Sequence, residues 1–390
     1  MKYSDFIKRG DKLLFLVALA VLAVSVFRGL YSTDLFTRTE PPITIVFTQW
    51  WDRDIEDNFL LSLIRDFENQ HEGIRISLSY KPYDELLFAL TDNNGIFPGD
   101  VLALDPLWIS ELEKNEIIQK ASPPLLSFIN VLFYNTGILR DAGFSMPPKS
   151  RTEFINYART VAGLEGNRWG LVVDEKGSRR LYDDVFPWIW SAGTQLISGG
   201  RPTVNSRPVI DSLSFLAALK SEGLLVQGNK LEDFSSGKAA FMISSSRNIE
   251  FVRERLGDTS FDISNIPVPD NYAGRSLYGA AEWAIGVNSA SVNEEEAKLF
   301  ADFLIGKAHV LAEKTREMPG DRGLPRYAPF YSKAWDIAAV WEPAREFSGH
   351  PWLELEKVFS EELSSLFSGD LTPVQTAAAI QRRWSDLLSP

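Results

Sequence analysis

The spacing of apolar side chains changes period several times along this chain, and each change marks a predicted element. Ile43–Phe47 is a mostly apolar run behind Pro41–Pro42 and reads as a buried strand that ends in Thr48, Gln49, Trp50 and Trp51. Farther on the spacing becomes helical: Phe59, Leu60, Leu63, Ile64 and Phe67 share one face, Asp52 or Asp54 can supply the start, and Gly73 the stop. Ile74, Ile76, Leu78 and Tyr80 then alternate as a strand. Strand, helix, strand in this order builds an α/β layer whose strand ends open onto a crevice, where Trp50 and Trp51 would sit.

The stretch Leu132–Pro148 packs several signals together. An apolar run leads to Asn135 as a helix N-cap, Gly143 follows as a C′ stop, and Pro147–Pro148 stiffen an extended arm. Ser150 and Glu153 have capping-box spacing for the next helix. At the N-terminus, Lys2, Lys8, Arg9 and Lys12 precede the apolar run Leu13–Phe27. At ~1.5 Å per residue that run falls short of a ~30 Å hydrocarbon core, and it almost reaches if Arg28 snorkels and Leu30–Tyr31 join in. The expectation is an uncleaved anchor, with the cytoplasmic membrane entered through residues 13–31 and a linker at 32–42. The alternative is a cleaved signal peptide using Ala23 and Ser25.

A chain of 390 residues is too long for one ordinary core, so two lobes are expected. A formal charge of −12 argues against a nucleic-acid partner, and the absence of cysteine removes disulfides, thiolate metal sites, cysteine nucleophiles and a lipidated N-terminal cysteine. His71, His309 and His350 lack metal-ligand spacing, and no G-x-S-x-G motif occurs. Asp183–Asp184 and Glu294–Glu296 read as caps or first-turn charges in preference to a catalytic pair. Ser198–Gly199–Gly200 lacks the partners of a phosphate loop and reads as a turn. No enzyme, metal or cofactor is therefore expected.

Leu132–Pro148 resembles the segment after the first hinge crossing in the maltose-binding-like family, the extracellular solute-binding proteins of family 1 that serve ABC sugar importers. Gly99–Asp105 looks like that family's second strand with its acidic tip, and Phe234–Met242 like its F-x-x-G-K-A-A-M stretch. Ile266–Pro269 and Gly279–Ile285 are similar to its prolines and its return to the first lobe. The resemblance implies an α/β, two-lobed periplasmic-binding-protein fold of type II, preceded by an N-terminal membrane helix or signal segment. Lobe 1 would comprise residues 43–127 with 285–312, and lobe 2 residues 130–279 with 313–390. It further implies an extracytoplasmic monomer that binds a small carbohydrate-like ligand and hands it to permease subunits. Departures are a short passage between Lys120 and Leu132, Arg151 where tryptophan is common, and Arg247 in place of another frequent aromatic. They leave room for a signalling relative that has lost transport and, third, for a carbohydrate-active enzyme.

Sugars present hydroxyl edges and weakly polar C–H faces, so a sugar cleft needs aromatic platforms rimmed by carboxylates, amides or guanidinium groups. Among eleven tryptophans, Trp50, Trp51, Trp188, Trp190 and Trp283 fall in loops or strand ends expected to face the cleft, beside Gln49, Asp105, Arg247 and Glu282. Trp50 and Trp283 are expected to face each other across it. Core packing stays open for each of the five and is the reading for Trp335, Trp341, Trp352 and Trp384.

Overall fold

A computed structural model describes residues 17, 19–25, 41–51, 58–92, 98–177, 179–315, 317–320 and 329–389. The chain divides into two compact units, Met1–Ile43 and Thr44–Pro390. In the first, residues 19–25 are helical and exposed. The apolar run at 13–27 is thus described only in part, and among the described residues no helix is long and apolar enough to cross a membrane.

The second unit is built on strands β1 (Ile43–Gln49), β2 (Ile74–Tyr80), β3 (Val101–Leu104), β4 (Leu126–Asn135) and β5 (Trp169–Asp174). A hairpin of β6 (Ile197–Ser198) and β7 (Arg201–Pro202) follows, turning through Gly199 and Gly200 at positive φ. Next come β8 (Leu225–Gly228), β9 (Ala239–Ser245), β10 (Phe261–Ser264) and β11 (Leu277–Val287). The strands join in the order β2-β1-β3-β11-β4-β9-β5-β8. The helix Phe59–Gln70 buries Leu60, Leu63, Ile64 and Phe67, as its spacing predicts, and the proposed starts Asp52 and Asp54 lie outside the described residues.

Buried side chains form two cores. One gathers residues of β1, β3, the helices Pro106–Lys114 and Glu294–Gly306, and the end of β11 from Trp283; the other gathers β5, β8, β9, β10 and the C-terminal helices Trp352–Ser368 and Pro373–Leu387. We refer to them as the first and second lobes. β4 belongs to both: Leu126 and Phe128 pack in the first core, while Ile129 and the following residues pack in the second. It pairs antiparallel with β11 near Leu126 and with β9 and β10 farther along, so one unbroken strand carries the chain between lobes.

Local signals behave as their chemistry demands, with one displacement. Asn135 Oδ1 accepts the Ile138 N–H at 2.9 Å, and Gly143 takes φ +85° behind the helix Thr136–Asp141. Ser150 Oγ accepts the Glu153 N–H at 3.3 Å, but the Glu153 carboxylate accepts from Lys149 N–H, one residue earlier than a capping box requires. The helix begun by Glu294–Glu296 runs through Gly306 and is capped by Lys307.

Candidate functional site

β1 brings Gln49, Trp50 and Trp51 to the end of the first lobe. Gln49 is buried, and its Oε1 accepts the Trp51 N–H. Trp51 stacks on Trp283 with ring centroids 4.5 Å apart and planes at 8°. Trp50 stands edge-on to Trp283 at 5.9 Å and to Tyr83 at 5.1 Å. Trp50 and Trp283 therefore do not oppose each other across the cleft. They share one lobe, because β11 carries Trp283 back beside Leu126 and into the first core. Trp51 and Trp283 are fully buried, and Trp50 lines a cavity.

Asp105 directly follows β3 and caps the helix Pro106–Lys114, accepting Leu107 N–H at 2.9 Å; it also accepts the Tyr83 hydroxyl at 3.0 Å. Glu282 accepts from Ser127 Oγ at 3.2 Å and pairs with Arg345 of the second lobe at 2.9 Å. Arg247 reaches from the second lobe over the Trp50 ring, 5.3 Å from its centroid.

The second lobe presents a π-helical turn, Leu181–Val185, directly followed by the helical turn Phe186–Trp190. Every side chain of Phe186–Trp190 is buried. Trp188 packs against Phe154 and Phe215, and Trp190 donates its Nε1–H to Glu346 at 3.0 Å. Neither reaches the cleft, because the segment is helical and core-facing where a loop or strand end was expected. Arg151 is likewise interior: its guanidinium donates to the Trp188 carbonyl and to Ser212 Oγ.

The wider turn separates two adjacent acids. Asp183 meets Asn130 Nδ2 at 3.2 Å and Arg179 at 3.3 Å, whereas Asp184 points inward to Lys230. Arg179 crosses to the first lobe and pairs with Asp105, with its guanidinium carbon 4.9 Å from the Tyr182 ring and 5.8 Å from that of Tyr83. Burial disfavours the charges of Arg179 and Asp183, but Asp105 and Asp183 hold the guanidinium protonated and Arg179 with Lys230 keeps Asp183 below the usual carboxylate range. Burial pushes Asp184 up to about 7 against the pull of Lys230.

Two cavities flank this bridge, each walled by both lobes. The larger, about 650 Å³, is bounded by Asp105, Ile109, Tyr182, Glu282, Arg345 and Phe347. The smaller, about 310 Å³, is bounded by Trp50, Tyr80, Tyr83, Arg247, Glu250 and Phe251. Among the described residues, no group of three or more histidines and carboxylates is placed to hold a metal ion. Arg179, Tyr83, Tyr182 and Arg345 carry no motif in the sequence. Arg179 and Asp105 meet across 74 positions, and only the fold reveals it.

Residues 46–310 match the model of the bacterial extracellular solute-binding protein family. The chain belongs to that family. A curated relative, a probable ABC transporter-binding protein of Deinococcus radiodurans, is 22% identical over 275 residues, 64% of this chain. The match likewise spans 64% of the relative's own length. Among solved structures, the GacH receptor of Streptomyces glaucescens, studied unliganded and with acarbose, superimposes with a TM-score of 0.74 at 17% identity, covering 90% of this chain and 99% of the receptor. Maltose-bound MalE3 of T. maritima gives a TM-score of 0.71 at 18% identity, covering 88% and 100%. The α/β, two-lobed fold is thus that of the maltose-binding-like receptors.

Proposed function

We propose that this chain is the extracytoplasmic receptor of an ABC importer and that it binds a carbohydrate between its lobes. The observation that carries this reading is the smaller cavity. Trp50, Tyr80 and Tyr83 from the first lobe meet Arg247, Glu250 and Phe251 from the second, so aromatic groups from both lobes converge with charged, hydroxyl-binding groups from the second. A ligand touching both walls stabilises the closed arrangement more than an open one, and closure becomes the signal. Gln49, Trp51 and Trp283 support Trp50 from behind, while Asp105 and Glu282 border the larger cavity. The structurally similar receptors with acarbose and maltose support a carbohydrate over other polar solutes.

The receptor acts by binding without turnover, as a monomer that delivers its sugar to permease subunits. The basic prefix before Leu13–Phe27 supports an uncleaved anchor that keeps the lobes on the outer face of the cytoplasmic membrane. A thermal-shift screen of the full-length protein against sugars and amino acids tests the ligand class. A sugar at ~100 times its Kd stabilises the native state by about 2.7 kcal/mol and raises Tm. Stabilisation by amino acids and by no sugar would overturn the proposal.

A further inference from the structure

We propose that Arg179 sets the ligand's length: its guanidinium partitions the space between the lobes and confines the sugar to one or two units in the compartment beside Trp50. This rests on the carbohydrate reading above. The partition follows from where the bridge stands. Asp105 and Tyr182 line the larger cavity and Tyr83 the smaller, and the Arg179 guanidinium lies against all three.

The bridge is fixed at both ends. Asp105 is held by the Tyr83 hydroxyl and by the Leu107 N–H that it caps, and Asp183 by Asn130. The Arg179 side chain is only 10% exposed and that of Asp105 only 2%. A surface ion pair of mobile side chains contributes little, but removing one partner of a buried pair strands the other charge in a poorly solvating environment. A chain long enough to run from one cavity into the other would have to expel the guanidinium from two carboxylates and two rings. A mono- or disaccharide beside Trp50 leaves every one of these contacts in place. Cavities of about 310 and 650 Å³ each fall in the range of a single small-ligand site, roughly 300–1,000 Å³, so neither needs the other to be usable.

The test is isothermal titration of the full-length protein with malto- and cello-oligosaccharides of one to six units, on wild type, Arg179→Gln and Asp105→Asn. The second variant weakens the same bridge from the opposite lobe while keeping a capping side chain. Wild-type affinity is expected to rise to the disaccharide and then level or fall. Both variants should gain at least tenfold for four- to six-unit chains relative to the disaccharide. Wild-type affinity that keeps climbing beyond two units overturns the partition, as does an identical length profile in all three proteins. The wild-type profile decides the matter even where a variant fails to fold. Absence of binding by every sugar at every length would instead remove the carbohydrate reading, and the partition with it.

Discussion

Both lobes bury tryptophans, but they use them differently. In the first lobe, Trp51 and Trp283 stack immediately beneath the cleft, and Trp50 is the outermost ring of the group, met by Arg247 from the other side. In the second, Trp188, Trp190 and Trp352 lie deep among Phe154, Phe186, Phe215 and Phe347, and the surface toward the cleft includes Tyr182, Asp183, Arg179 and Arg247. The first lobe thus offers an aromatic edge backed by a stack, and the second offers charge, from Arg179 and Asp183 at a π-helical turn and from Arg247 after β9. Burial alone does not tell a platform from a core residue. What lies beyond the ring does.

The sharpest contrast should come from truncating the buried rings. Trp188→Ala and Trp283→Ala are each expected to lose about 3–5 kcal/mol in urea melts, since both are fully enclosed. A near-wild-type melt for Trp283→Ala would return it to the list of cleft platforms. The second lobe also stores a proton. Burial pushes Glu346 up to about 7, although Trp190 and the Leu196 N–H hydrogen-bond its Oε1. The folded carboxyl therefore holds its proton more tightly than the unfolded one, whose ordinary value is 4.5. Its contribution is full below pH ~4.5 and is lost as pH rises through ~7, on the order of 3 kcal/mol. Glu346→Gln should remove that part of the slope in melts from pH 4.5 to 8, and an unchanged slope would assign it elsewhere.

Trp50→Ala is expected to weaken sugar binding by ~2 kcal/mol or more, over tenfold, while costing less stability than the two enclosed tryptophans. Equal losses of stability at Trp50 and Trp283 would erase the distinction between edge and stack. The smallest effect lies outside both tryptophan sets. Gly143→Val should destabilise the second lobe by ~1 kcal/mol, because φ of +85° is poorly tolerated by a β-branched residue. An unchanged melt would mean that the backbone there relaxes freely.

Much of the fold was legible because its signals are local. Asn135, Gly143 and the face of Phe59–Gln70 act through neighbours a few residues away, and each takes the role its spacing predicts. The cleft was legible only in part. Trp50, Asp105, Glu282 and Arg247, picked out at strand ends or beside motifs, line the two cavities between the lobes, whereas Gln49 is buried. Trp188 and Trp190 were misplaced, since one helical turn and a strand end look alike in a short apolar run. Arg179, Tyr83 and Tyr182 escaped because their roles depend on a pairing between lobes and on a π-helical turn that no local pattern announces.

The central claim is that one sugar is held at once by an aromatic edge of the first lobe and a guanidinium of the second. A double-mutant cycle on Trp50→Ala and Arg247→Ala, read by isothermal titration with a sugar that raises Tm, tests it most directly. Each single change should weaken binding. The double variant should fall short of the summed losses by ~0.5 kcal/mol or more, because the two side chains touch the same ligand and each other. A double variant that binds the sugar as tightly as wild type would contradict the account.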